Sequence, residues 1–129
     1  MRALALSGLT LATLGTVHLM AHFSMRPEDA PPVAVQMQQT TIELLGTHTL
    51  LQFHIGFSVT MGALLVAYGA MVGLIAAEPQ RRAVRLLHAA VCVVMVALTV
   101  VYFHPLAWGL CLVALVMAAM SLRFTPSPA

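Results

Sequence analysis

Five of the six histidines, His18, His22, His48, His54 and His104, fall toward the same end of four long apolar runs. Glu43 is the one acid on that side that could join them. Titratable side chains are costly near hydrocarbon, so such a cluster marks a candidate site. An imidazole titrates near neutral pH, and a neighbouring carboxylate orients it. His18, His22, Glu43, His54 and His104 therefore form a candidate catalytic set for acid–base work on an apolar substrate, with His48 beside Glu43. His18 and His22 are one helical turn apart and present two imidazoles on one face, which makes them candidate metal ligands. Haem or a transition metal held through imidazole is thus a second chemistry. The chain has no Cys-x-x-Cys-His motif, so any haem would be bound non-covalently. Proton or ion movement is a third, with the least support, because no chain of acids continues inward. Beside all three stands a plain reading: histidines at a membrane interface that point outward and do no chemistry.

The elements that must position these residues are set by composition. Of 129 residues, 60% are hydrophobic and 8% are charged, against about 25% charged in an ordinary soluble domain. So short and apolar a chain has too little polar surface for a water-facing globule, and a membrane protein is expected. The apolar runs cover about residues 3–23, 50–77, 84–104 and 106–122, near the roughly 20 residues that span a bilayer. The expected fold is all-α: a single membrane domain over residues 1–129, an integral four-helix bundle with an amphipathic segment on the outer side between the first and second membrane helices. The first run follows Arg2 as a signal peptide would, but it runs into His18-Leu19-Met20-Ala21-His22-Phe23 without a small-x-small cleavage signal, and reads as a retained helix.

The basic residues are all arginine. With four crossings Arg2, Arg81, Arg82, Arg85 and Arg123 share one side, and Arg26 lies on the other beside Glu28 and Asp29. The positive-inside rule then puts both termini in the cytoplasm of a cell with an inner membrane. Phe53, Phe57, Phe103 and Trp108 would mark the outer interface. Pro105 directly after His104 predicts a tight hairpin between the last two helices. Pro31-Pro32 opens an expected interfacial helix carrying Val33, Met37, Ile42 and Leu45, with Gly46 as its breaker. No basic patch with interleaved aromatics suggests nucleic acid. The expected partners are the lipid bilayer and a lipophilic small molecule.

Helix faces show what packs. Gly8, Ala12, Gly15 and His22 share one face, and Gly62, Gly69 and Gly73 share another, with Ser58 above them. Small residues at these spacings let helix backbones approach in lipid, within one bundle or in an oligomer, with the bundle favoured. His88, Cys92, Met95, Thr99 and Tyr102 form a polar stripe that should face inward, either for interhelical hydrogen bonds or as the polar wall of a cavity. Cys92 and Cys111 read as packing residues. At about 1.5 Å per helical residue their depths differ by roughly 10 Å, too far for a disulfide. The methionines are scattered, which argues against a copper–thioether site.

Gly15-Thr16-Val17-His18-Leu19 and Gly56-Phe57-Ser58-Val59-Thr60-Met61-Gly62 resemble segments of a family of small four-helix bacterial membrane proteins of unknown function. That resemblance spans most of the chain and implies a fold but no activity. A more distant likeness, of architecture alone, is to the membrane-bound styrene oxide isomerases, small four-helix proteins that use haem held by a histidine. No residue carries over from it. Two readings follow: a membrane-embedded enzyme or binding protein for a lipophilic small molecule, of acid–base isomerase or cyclase type or assisted by metal or haem, or a non-catalytic membrane subunit whose polar residues serve packing.

Overall fold

The computed structural model describes residues 2–24, 31–43, 46–76, 82–102 and 105–123. Five helices and one small hairpin occur in the order α1 (Arg2–Ser24), α2 (Pro32–Gln39), β1 (Thr41–Glu43), β2 (Thr47–Thr49), α3 (Leu50–Ile75), α4 (Arg82–Tyr102) and α5 (Pro105–Arg123). Four of the helices, α1, α3, α4 and α5, are long and apolar enough to cross a membrane. Their bounds lie close to the four expected runs. Pro105 opens α5, where its missing N–H costs no helical hydrogen bond.

The segment before α3 departs from expectation. Pro32 opens α2 as anticipated, but the helix stops at Gln39, where the Thr40 N–H and hydroxyl both close onto the Gln36 carbonyl. Thr40-Thr41-Ile42 is β-branched and prefers extended backbone. Ile42 therefore lies on a strand rather than on an interfacial helix, opposite His48, with Thr41 opposite Thr49 and Glu43 opposite Thr47. Gly46 has φ +129°, a conformation that favours glycine. It serves the hairpin connection and does not break a helix; Leu45 lies outside the described residues. Thr49 then caps α3. Its hydroxyl accepts from the Gln52 N–H at 3.1 Å while the Gln52 side chain accepts from the Thr49 N–H at 3.0 Å, satisfying two donors at an exposed helix start.

In the bundle α1 is central, packed on α3 along one face and on α5 along another, and α5 in turn packs on α4. The α1–α3 seam is the closest. A Cβ built on Gly8 would lie 2.6 Å from the Gly69 carbonyl oxygen, and one on Gly15 would lie 2.7 Å from that of Gly62. One on Gly69 would run into the Ala12 backbone. The two glycine faces read from the sequence therefore face each other inside one chain. The seam against α5 is also built from small residues: Ala107, Cys111, Ala114, Ala118 and Ser121 are buried at alternating spacings of four and three, the spacing of a coiled-coil seam. Leu11, Leu14 and Cys92 complete that core, and both cysteines are unpaired thiols.

One end of the bundle collects the starts of α1 and α4 and the ends of α3 and α5. There Leu4 packs with Val72 and Ala76, and the Arg85 guanidinium donates to the Ser121 carbonyl at 2.9 Å. A cation suits the carbonyl-rich end of a helix. Arg2, Arg82 and Arg123 stand at the same end, while His18, His22, the hairpin and His54 belong to the other. Between the ends the outward surface is apolar, with Leu9, Leu64, Leu74, Leu87, Val101 and Val116 exposed.

Candidate functional site

The structure separates the residues singled out at the outer end. His18, half-buried on α1, reaches across to α3, with its Nε2 2.9 Å from the Ser58 hydroxyl and 3.1 Å from the Ser58 carbonyl oxygen. A carbonyl only accepts, so Nε2 carries the proton and the neutral ring keeps Nδ1 as an acceptor. His54, in the second turn of α3, shares with His18 a groove walled by α1 and α3 and lined also by Phe57 and Met61. The remaining residues stand apart. The His22 ring meets the edge of Phe23, its chain neighbour. His48 is exposed on β2 and lines a shallow recess with Phe53 and Phe57. Glu43 is exposed on β1, and no hydrogen bond to its carboxylate is present among the described residues. His104 lies outside the described residues, as do Phe103 and Arg26.

The metal reading turns on how many donors the fold brings together. A structural or catalytic metal ion takes three or four protein ligands. No group of three or more His, Cys, Asp or Glu side chains among the described residues is placed to hold one. The nitrogen that His18 turns toward α3 is occupied by Ser58. The groove beside His18 and His54 is lined by residues of α1 and α3.

A second polar centre lies deeper, toward the arginine-bearing end, where the sequence suggested only a stripe. His88 and Cys92 are buried, as is Thr99 further along α4, so the stripe faces inward at these positions, while the Tyr102 side chain lies outside what is described. The Ser7 hydroxyl donates to the Ala114 carbonyl at 2.7 Å. A hydroxyl has one proton, so the 2.7 Å contact between Ser7 Oγ and His88 Nε2 requires Nε2–H to donate. In the neutral ring Nδ1 is then the acceptor, and the Tyr68 hydroxyl, 3.0 Å away, donates to it. The protons run in one direction from Tyr68 on α3, through His88 on α4 and Ser7 on α1, to the α5 backbone. Cys92 Sγ lies 3.9 Å from Ser7 Oγ, placed to give its weak S–H bond to the second lone pair of that oxygen. All four long helices meet in this chain. Because the Ser7 proton is held by a carbonyl, the arrangement differs from a serine-nucleophile triad, in which histidine takes the serine proton. Ser7 and Tyr68 escaped the sequence reading. The signal for Ser7 was a lone hydroxyl at helical spacing from Leu4, Leu11 and Leu14, which share its buried face.

Between the two centres is a cavity of about 290 Å³ lined chiefly by α3 and α4, with Leu14 and His18 from α1 and Ala107 from α5. Its walls are apolar side chains such as Leu14, Met61, Leu65, Met95 and Leu98, and its polar members are His18, Tyr68 and Thr99. Tyr68 thus belongs both to the cavity and to the buried chain, and His18 both to the cavity and to the outer groove. Ser58, the partner of His18, precedes Tyr68 by ten residues on α3, which puts the two polar ends roughly 15 Å apart along the axis at about 1.5 Å per residue. Comparison with known protein families, curated proteins and solved structures finds no match to this chain.

Proposed function

We propose that this chain is a multi-pass membrane protein that holds a lipophilic small molecule in the cavity between α3 and α4, taken laterally from the bilayer. The observation that carries this reading is the cavity itself: apolar walls, a size near the lower end of small-molecule sites, which start at about 300 Å³, and polar groups only at His18, Tyr68 and Thr99. An apolar exterior on four spanning-length helices supports the membrane placement. The arginines gathered at one end support cytoplasmic termini in a cell inner membrane. Within the outer candidate set, His18 is the residue this reading retains as a ligand contact. His22, Glu43, His48 and His54 become interfacial residues. The likeness to small four-helix bacterial membrane proteins, and the distant one to the isomerases, remain architectural expectations.

A second reading has an observation of its own. The Tyr68–His88–Ser7 chain satisfies each of its members and joins all four long helices, as the polar core of a non-catalytic membrane subunit would. The experiment that separates the two fills the cavity and leaves the chain alone. Val91→Trp should abolish retention of a lipophilic probe such as an alkylbenzene by protein in lipid nanodiscs, with thermal stability preserved. Equal retention by the variant and the parent protein would defeat the cavity reading and favour the structural one. Cysteine-reactive labelling of added terminal cysteines in intact cells tests the topology: both termini should stay protected until the membrane is permeabilised.

A further inference from the structure

The hydrogen bonds around the cavity fix which kind of ligand it accepts. Three of the lining residues carry polar side-chain atoms other than thioether sulfur, and the proton of each is directed elsewhere. The Tyr68 hydroxyl donates to His88 Nδ1 at 3.0 Å, and that direction is enforced from the far side, because Ser7 gives its only proton to Ala114 and so requires one from His88. The Thr99 hydroxyl donates back to its own helix, 2.8 Å from the Met95 carbonyl and 3.1 Å from that of Val96. His18 turns Nε2–H toward Ser58. What remains on all three is lone pairs: those of Tyr68 Oη and His18 Nδ1, and the one on Thr99 Oγ1 that the Cys111 thiol does not engage. Met61 and Met95 add thioether sulfurs, which accept weakly and donate nothing. Lining backbone N–H groups on α1, α3 and α4 lie within helices, where they bond to carbonyls one turn earlier; Ala107, in the first turn of α5, is the exception.

We infer that the cavity selects lipophilic molecules carrying a hydroxyl, such as long-chain alcohols and alkylphenols, over matched ethers, esters and ketones, because its lining side chains offer acceptors and no free donor. The inference rests on the cavity-binding reading above and adds ligand chemistry to it. A hydroxyl group leaving the interfacial water for this site recovers a hydrogen bond. An ether oxygen finds only other lone pairs and loses its water without replacement. The preference follows from the direction of the buried chain: with the Tyr68 proton free to point into the cavity, a carbonyl ligand would be served equally well.

The test uses the full chain in lipid nanodiscs with 13C-methyl methionine, since Met61 and Met95 report from the cavity wall. 4-Octylphenol and its methyl ether 4-octylanisole are titrated separately at pH 8.5, above the ordinary imidazole range near 6.5, with concentrations expressed as mole fraction in lipid. The phenol should shift the Met95 methyl signal at a mole fraction about 3- to 10-fold lower than the ether, the range expected of one net hydrogen bond. Tyr68→Phe and, separately, Thr99→Val should shrink that ratio while leaving the ether titration unchanged. Equal titration of the two compounds by the parent protein, or tighter binding of the ether, overturns donor selection and leaves the cavity reading standing. No saturable shift with either compound overturns both. The parent-protein comparison decides the matter even where Tyr68→Phe fails to fold.

Discussion

Two serine–histidine pairs tie helices together in this chain, and they differ in what surrounds them. His18 meets Ser58 across α1 and α3 toward the outer end, half-buried and beside a groove. His88 meets Ser7 across α4 and α1 toward the arginine end, fully buried, with every further lone pair and proton assigned to Tyr68, Ala114 or Cys92. The same two side-chain types make an adaptable contact in one place and a fixed one in the other. Local wetness decides: a group that can turn to water loses little when its partner goes, whereas a buried one bears the full desolvation cost of its orphaned neighbours.

The comparison can be broken or sharpened by substitution, with thermal unfolding in one detergent as the common measurement. The largest effect should come from backbone rather than from either pair. Gly69→Leu drives a side chain into Ala12 and Gly8 and should destabilise by about 3 kcal/mol or more, while Gly56→Leu, where an added Cβ meets nothing within 4 Å, should be near neutral. Equal losses at the two glycines would mean that the α1–α3 seam is not the close one. Next, His88→Leu should cost about 2–3 kcal/mol, because it strands a lone pair of Ser7 in the core and takes the acceptor from the half-buried Tyr68 hydroxyl. His18→Leu should cost about 0.6 kcal/mol, the ordinary worth of one interhelical hydrogen bond in a membrane protein. If the two histidine variants lose the same stability, burial is not what distinguishes the pairs. Thr49→Ala removes the capping box of α3 and should cost about 1 kcal/mol, with Gln52→Ala costing less. Smallest of all, Glu43→Gln and His48→Ala on the exposed hairpin should fall within about 0.5 kcal/mol of the parent, and a larger loss at either would reveal a tertiary partner for the hairpin.

The helices were legible because hydropathy sets a span directly, and the α1–α3 seam because glycine at helical spacing leaves a visible face. The hairpin was not, since three-residue strands give too little alternation to stand against amphipathic helix spacing around Val33 and Met37. For the site, a shared end drew attention to His18, His22, His48, His54 and Glu43, but depth along a helix is only one coordinate. Rotation about the axis and the identity of the facing helix decide convergence, and of these residues His18 and His54 are brought to one groove. His88 was recognised as inward-facing, yet its partners Ser7 and Tyr68 lie 81 and 20 residues away in sequence. Only the packing order of the helices brings them together.

That packing order also bears on how the chain is assembled as it is made. α1 precedes α3, and its glycine face finds its match as soon as α3 is synthesised, so this pair can close before α4 and α5 exist. Ser7 then waits on the far side of α1 without Ala114 or His88 until the α4–α5 hairpin arrives. The arrival of that hairpin gives the Ser7 hydroxyl both the Ala114 carbonyl and the His88 imidazole, so this contact forms only once all four long helices have been made and packed.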